Sequence, residues 1–104
     1  MIMKEGFVYI LPNVQRTVLY TGVTSDLVNR VYNHKQGNGS VFTSKYNAYL
    51  LLYYEIHQDM YQAIVREKQI KKWKREWKFN LIKSGNPELK DLWGEILPEG
   101  RFHF

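Results

Sequence analysis

The chain begins with two short apolar and aromatic segments that predict a β-hairpin. The segments cover residues 6–11 and 17–22, and a polar stretch separates them. Pro12 cannot donate to a strand ladder and Asn13 favours turns, so we expect the first strand to end at this point.

The register of this hairpin determines whether the rings of Tyr9 and Tyr20 lie on the same face of the sheet. Pairing Leu11 with Val18 would place the two rings directly opposite each other on one face of the sheet. A slip of one residue would send them to opposite faces, so this pairing is a hypothesis. Aromatic side chains are also good strand formers, and packing in the core is the alternative explanation for both.

A helix is predicted after the hairpin. Thr24-Ser25-Asp26 offers an N-cap, and helix-compatible spacing continues over residues 27–36. Arg30 and His34 are one turn apart on this helix, so their side chains lie on the same face. A glycine-rich loop follows and carries Lys45, which could contact phosphate; loop polarity is the alternative explanation.

The second half of the chain predicts one more strand and further helices. Residues 48–56 form a nearly unbroken apolar and aromatic run, which is typical of a central strand buried on both faces. Helices are expected over residues 60–73 and 76–83, with one more turn between residues 88 and 93. These elements predict an α+β fold, an α/β sandwich with a small three-stranded, mostly antiparallel sheet and about three flanking helices.

One acidic residue stands out among the predicted helices. The spacing of Ala63, Ile70, Trp77 and Leu81 predicts an apolar side, and Glu67 lies at its margin. A carboxylate that points inward needs a partner, because burying it unpaired is costly. A core arginine or lysine would be a structural partner, and a metal ion would be a functional one.

Positive charge is concentrated in one segment. The chain has a formal charge of +5, and residues 66–78 contain seven basic and two acidic residues, so this segment accounts for the whole excess. Such a patch is expected on a surface that faces a polyanion, and a solvated basic helix face is the alternative. There is no cysteine and no apolar run long enough to span a membrane, so we expect a cytoplasmic protein without disulfides.

The order of these elements resembles the GIY-YIG nuclease superfamily, in particular its short stand-alone bacterial branch, and is similar to the N-terminal nuclease domain of the bacterial excinuclease. That family has two short tyrosine-bearing strands, then a helix with an arginine and a later helix with a glutamate. The matching segments are Phe7-Val8-Tyr9, Tyr20-Thr21-Gly22 and residues 23–34, 42–47 and 66–71. Phe7 replaces the first glycine of the family, and either Asn80 or Asn86 could match its late asparagine.

The resemblance implies hydrolysis of DNA phosphodiester bonds with one divalent metal ion, Mg²⁺ or Mn²⁺. Glu67 would be the sole protein ligand of the metal, and Arg30 would stabilise the charge on the phosphate oxygens. Tyr9 would help to deprotonate the attacking water, for which nearby positive charge must lower its pKa from about 10. Tyr20 would position the water or the phosphate, and His34 would exchange a proton with a tyrosine.

We therefore expect a metal-dependent DNA endonuclease; a nucleic-acid-binding module of the same fold with little or no cleavage is the alternative. Phosphate contacts that do not read sequence are expected from Lys45, Lys68, Lys71, Lys72, Lys74 and Arg75. We expect no membrane association and no small-molecule cofactor, a monomer or weak dimer, and a protein partner that could supply specificity. Residues 1–93 would form a single domain and residues 94–104 a peripheral C-terminal tail.

Overall fold

The first strand forms the centre of the sheet. The computed structural model describes residues 4–12, 18–36 and 50–97. In it, β1 (Gly6–Pro12) pairs antiparallel with β2 (Leu19–Thr24) on one side and with β3 (Tyr53–His57) on the other. The strand order is β2-β1-β3, and this three-stranded antiparallel sheet with its flanking helices confirms the predicted α+β fold class.

The prediction of a central strand at residues 48–56 is wrong. Residues 48 and 49 lie outside the described residues, and β3 begins at Tyr53 and forms an edge of the sheet. Leu51 and Leu52, which precede β3, are fully buried, and the Leu52 amide donates to the Ile10 carbonyl at 3.1 Å. This part of the apolar run is therefore buried in the core without extending the strand.

The hairpin register differs from the predicted one by two residues. Leu11 pairs with Tyr20, not with Val18, and Tyr9 pairs with Gly22. A shift of two residues keeps each side chain on its face, so the rings of Tyr9 and Tyr20 still share one face, with centroids 6.2 Å apart. A Cβ atom at Gly22 would collide with the ring and hydroxyl of Tyr9, so this glycine makes room for the phenol.

The helices of the described residues flank this sheet. They are α1 (Leu27–Lys35), α2 (Met60–Lys71), α3 (Arg75–Gly85) and the short α4 (Trp93–Ile96). Asp26 caps α1 by accepting from the Asn29 amide, and Asp59 caps α2 by accepting from the Gln62 amide. Within these ranges, no helix is long and apolar enough to cross a membrane.

Each face of the sheet has its own apolar core, because alternate residues of β1 point to opposite sides. The core on what we call the α2 face consists of Val8, Ile10, Leu52, Ala63, Ile70 and Ile82. The core on what we call the α1 face consists of Tyr9, Leu11, Leu27, Val31 and Leu51. Tyr9 therefore shares its face with the helix that carries Arg30 and His34.

The apolar side predicted to continue from α2 into α3 is interrupted. The amides of Lys72 and Trp73 donate to carbonyls three residues earlier, which tightens the last turn and ends α2. Trp77 consequently lies on α3, where it is 52% exposed, whereas Ala63 and Ile70 of α2 are buried. The prediction that Trp77 belongs to the same buried side is therefore wrong.

Candidate active site

Four predicted site residues meet on the α1 face of the sheet. They are Tyr9 of β1, Tyr20 of β2, and Arg30 and His34 of α1, and we call them the Tyr9 cluster. The His34 ring centroid lies 5.7 Å from that of Tyr9 and 5.6 Å from that of Tyr20. The two strands and the helix thus bring together residues that are up to 25 positions apart in the chain.

Tyr9 connects Arg30 to His34 through its hydroxyl group. Nε of Arg30 donates to Oη of Tyr9 at 3.2 Å, and this Oη lies 3.1 Å from Nε2 of His34. A guanidinium can only donate, so the phenol oxygen accepts from Arg30 and its own proton can be donated to His34. That direction requires the neutral tautomer of His34 with its proton on Nδ1.

Burial determines the protonation states of Tyr9 and His34. Burial raises the pKa of Tyr9 to about 12 and outweighs the hydrogen bond from Arg30, which acts in the opposite direction. Burial also lowers the pKa of His34 to about 4, with a further contribution from the positive charge of Arg30. At neutral pH the cluster therefore contains a neutral phenol and a neutral imidazole, and in this structure nearby positive charge does not produce the low tyrosine pKa expected for a base.

No carboxylate pairs with Arg30 anywhere in the described ranges. The half-buried guanidinium interacts with the hydroxyls of Tyr9 and Tyr20, and its pKa is raised chiefly by the hydrogen bond to Tyr9. Buried or half-buried charges in proteins are usually paired with an opposite charge. Among the described residues, the Tyr9 cluster therefore carries one positive charge without an acidic partner, and such a charge favours an anionic ligand.

Glu67, which the helical pattern predicts at the margin of an apolar side, is buried on α2, and α2 packs on the opposite face of the sheet from the Tyr9 cluster. Its Oε2 is 3.1 Å from Nζ of Lys71, one turn later, so its partner in this structure is a lysine. The Glu67 side chain is 11% exposed and that of Lys71 is 51% exposed. Within the described part of the chain, Glu67 makes no hydrogen bond to the Tyr9 cluster.

The donor atoms present fit a divalent cation held through one carboxylate. Residues 4–12, 18–36 and 50–97 contain no group of three or more acidic, histidine or cysteine side chains that could hold a metal. Mg²⁺ keeps several of its waters and is commonly held by one or two carboxylates, so Glu67 alone is chemically sufficient. Within the described ranges, the buried hydroxyl of Thr21 has no hydrogen-bond partner. Thr21 lies on the α2 face of the sheet, because it is two residues from Leu19 and from Val23, which pack in that core.

The predicted phosphate-binding residues are exposed where the structure describes them. Lys45 lies outside the described residues. The others, at the end of α2 and the beginning of α3, are Lys68, Lys71, Lys72, Lys74 and Arg75. Two of these have additional contacts, because Lys71 pairs with Glu67 and the Arg75 guanidinium lies 5.5 Å from the centroid of the Phe79 ring.

Sequence reasoning missed a second polar cluster, on the α2 face. Glu55 of β3 accepts hydrogen bonds from the Tyr53 hydroxyl and from Nε of Arg66 at 2.8 Å, and its Oε1 is also 2.8 Å from Nε2 of His57. We call Tyr53, Glu55, His57 and Arg66 the Glu55 cluster. The alternation of its three strand residues could have revealed it, because residues two apart on a strand point to one face.

Asn86, and not Asn80, is the late asparagine with a structural role. Its side chain is buried, and Nδ2 donates to the carbonyls of Leu52 and Lys90 at 3.1 and 2.8 Å. Its Oδ1 accepts from the Lys90 amide at 3.1 Å, whereas Asn80 is exposed on α3. Asn86 thereby joins the segment after α3 to the segment that leads into β3.

The family is decided by sequence comparison. A family model described as the GIY-YIG catalytic domain matches residues 5–80, which is most of the chain. This chain belongs to the GIY-YIG family. Proteins called UPF0213 protein from Staphylococcus aureus strains Mu3, N315 and NCTC 8325 are each 36% identical to this GIY-YIG domain over 81 residues, which cover 78% of this chain and 98% of the relative. No solved structure matches the sequence.

The expected branch of the GIY-YIG family is therefore confirmed. Because the match spans 98% of each of these relatives, they are short stand-alone GIY-YIG proteins. Membership places the chain in a family of nucleases in general terms, with DNA as the substrate that the family implies. The individual roles of the Tyr9 cluster and of Glu67 remain predictions.

Proposed function

We propose that this GIY-YIG domain is a divalent-metal-dependent endonuclease that hydrolyses DNA phosphodiester bonds at the Tyr9 cluster. The observation that carries the proposal is the half-buried Arg30, which has no carboxylate partner in the described part of the chain and is bonded to the Tyr9–His34 pair. This arrangement combines an anion site with a path for a proton, and hydrolysis of a phosphodiester needs both.

Arg30 would bind the scissile phosphate. Its Nε is used by Tyr9, so the terminal N–H groups of the guanidinium would donate to two phosphate oxygens. Negative charge on these oxygens grows during the reaction, and a fixed positive charge therefore stabilises the transition state more than the ground state. Tyr20, on the same face, would position the phosphate or the attacking water.

The proton of the attacking water would pass through Tyr9 to His34. Oη of Tyr9 accepts the water proton while its own proton moves to Nε2 of His34, so no phenolate has to form. This relay suits a phenol whose pKa is raised to about 12 by burial. A bound phosphate would offset the charge of Arg30, which lowers the pKa of His34, and so would make the imidazole a better acceptor when substrate is present.

Glu67 would hold the metal ion. When bound, Mg²⁺ or Mn²⁺ supplies Lewis-acid polarisation of the phosphate and a lower pKa for its bound water. Strand β2 lies between the Tyr9 cluster and α2. Tyr20 of this strand lies on the α1 face of the sheet, and α2 packs against the other face. A DNA strand bound along this edge of the sheet would therefore approach both the Tyr9 cluster and α2.

The basic residues would bind the flanking phosphates. Lys68, Lys72 and Lys74 are exposed near the junction of α2 and α3. Lysine contacts of this kind release counterions from DNA, so they raise affinity for any sequence and make it salt-dependent. Recognition of a particular DNA structure or sequence would then come from elsewhere, for example from a protein partner.

The test is incubation with supercoiled, branched and single-stranded DNA in Mg²⁺ or Mn²⁺, compared with EDTA. We expect metal-dependent cleavage, lost in Glu67→Gln while DNA binding is retained. The matched control is Glu76→Gln, which removes the same charge at an exposed position of the basic segment and should cleave normally. Binding without cleavage by the wild type would favour the nucleic-acid-binding module, and cleavage by Glu67→Gln would remove Glu67 from the metal role.

A further inference from the structure

The pair formed by Glu67 and Lys71 joins a buried carboxylate to a lysine at the protein surface. Oε2 of Glu67 and Nζ of Lys71 are 3.1 Å apart, and the carboxylate side is far less exposed than the lysine side. A buried carboxylate needs a positive partner to offset its lost hydration. Lys71 supplies that partner in this structure, and it does so with a flexible side chain that can also reach solvent.

A lysine and a divalent cation compete for the same carboxylate. Both are positive, and both would occupy positions within a few ångströms of Oε2, where like charges repel strongly in partly buried surroundings. Lys71 is therefore expected to leave Oε2 when the carboxylate binds a metal. Its released ammonium has further positive charge close by, because Nζ of Lys78 reaches the Lys71 carbonyl at 3.5 Å.

We propose that Lys71 is an exchangeable counter-ion of Glu67, which leaves the carboxylate on metal binding and then binds a DNA phosphate beside the site. This inference rests on the metal role of Glu67 in the proposed function. Coupling between two ligands is reciprocal, so metal binding strengthens DNA binding and DNA binding strengthens metal binding by the same factor. Lys71 is thus a positioning residue that links metal binding to DNA binding, and an exposed lysine without a contact to Glu67 has no such effect.

Metal binding without DNA tests the first half of the inference. Mn²⁺ is titrated into the protein, and free Mn²⁺ is followed by its electron paramagnetic resonance signal. Lys71→Gln keeps a donor for Glu67 but removes the charge, so we expect at least about fivefold tighter Mn²⁺ binding than in the wild type. Lys83→Gln, the matched control at an exposed position of α3, should change it by less than twofold, and Lys71→Arg should behave as the wild type.

The outcomes separate this inference from the proposed function. If Glu67→Gln binds Mn²⁺ as tightly as the wild type does, Glu67 is not the metal ligand, and the inference about Lys71 is overturned as well. If Mn²⁺ binding depends on Glu67 but Lys71→Gln and Lys83→Gln bind Mn²⁺ alike, the inference alone is overturned. Thermal melting of each variant is measured alongside, and Lys71→Met serves as a second neutral variant, for which the same tightening is expected.

Salt dependence of DNA binding tests the second half. Affinity for a phosphorothioate duplex is measured by fluorescence anisotropy over a range of salt, with and without Mn²⁺. Each lysine–phosphate contact contributes about 0.9 to the slope of log affinity against log salt. We expect Mn²⁺ to steepen the slope by about one contact in the wild type and in Lys83→Gln, and not in Lys71→Gln. An equal Mn²⁺ effect in all three proteins would overturn the transfer of Lys71 to DNA.

Discussion

The two faces of the sheet carry polar clusters built from the same kinds of residue, yet the two differ in charge. Each contains an arginine, a histidine and tyrosine, and in each the arginine donates through Nε to a side chain of the sheet. In the Glu55 cluster the acceptor is a carboxylate, with oxygens that receive hydrogen bonds from three side chains. In the Tyr9 cluster the acceptor is a neutral phenol, and no carboxylate of residues 4–12, 18–36 or 50–97 offsets the positive charge of Arg30.

This difference separates a structural cluster from a candidate reaction site. Burial disfavours the charged form of Glu55, but hydrogen bonds led by that from Arg66 more than offset this and lower its pKa. The resulting ion pair joins β3 to α2 and leaves no charge for a ligand. Arg30 forms no ion pair of this kind within the described ranges, so its charge remains available to an anion, and its effect is expected to appear in catalysis.

The largest expected effect comes from removing the positive charge of Arg30. Arg30→Ala should slow cleavage by at least about 100-fold, about 3 kcal/mol of transition-state stabilisation, because the growing phosphate charge loses its fixed donor. Its free energy of unfolding should change by less than about 1 kcal/mol, since Tyr9 keeps its hydrogen bond to His34. Single-turnover cleavage rates and urea denaturation measure the two quantities.

Arg66→Ala is the matched control, because it removes the arginine of the Glu55 cluster on the other face of the sheet. It should lower stability clearly and leave the cleavage rate per folded molecule unchanged, because its charge is already used by Glu55. If the cleavage rate of Arg30→Ala fell by less than tenfold, Arg30 would not have the proposed role of stabilising the phosphate charge. Equal activity losses in both variants would remove the distinction between the clusters.

Local spacing predicts that the members of the Tyr9 cluster lie together, although the predicted pairing register of β1 and β2 was wrong by two residues. Arg30 and His34 share a face because they are four residues apart on a helix. Tyr9 and Tyr20 share a face because the register error was two residues, and side-chain direction depends only on whether the shift is even or odd. The shared face of these four residues on β1, β2 and α1 could therefore be predicted from the sequence, and their roles stay predictions.

Features that depend on tertiary packing could not be predicted in the same way. Residues 48–56 have the composition of a central strand, but the choice of β1 as the centre depends on which strands pair, which is a non-local property. The raised pKa of Tyr9 follows from burial under α1, which outweighs the nearby arginine. The sequence predicts Lys71 as a phosphate-binding residue, although its spacing of four from Glu67 also allows the observed pair.

The second largest effect concerns the neutral histidine of the Tyr9 cluster. The pKa of His34 is about 4 when folded and 6.5 ordinarily, so the unfolded state binds more protons between these values. The free energy of unfolding should therefore fall as pH decreases from about 6.5 to about 4, by up to about 3 kcal/mol, and this component should then level off. Urea denaturation across pH 4 to 7.5 measures the profile.

His34→Gln should flatten that part of the profile, and His57→Gln, which retains His34, should keep it. Glu55 contributes in a different window: its folded pKa is below the ordinary 4.5, so its stabilisation is present above 4.5 and lost as pH falls further. The two clusters should therefore lose stability in successive pH ranges. An unchanged slope between pH 4 and 6.5 in His34→Gln would contradict the assignment of a buried, neutral imidazole.

The smallest of the three expected effects comes from removing the Glu55 carboxylate, which distinguishes the Glu55 cluster from the Tyr9 cluster. Glu55→Gln should lower the free energy of unfolding by about 2 kcal/mol, less than for a fully buried pair, because the Glu55 and Arg66 side chains are 17% and 29% exposed. The double variant Glu55→Gln with Arg66→Gln should lose less than the sum of the single losses, with a coupling energy of about 1 kcal/mol. Glu88→Gln, which breaks an exposed pair with Lys90, should cost less than about 0.5 kcal/mol. If Glu55→Gln instead abolished cleavage at unchanged stability, the Glu55 cluster would itself belong to the reaction site, since a purely structural ion pair cannot produce that result.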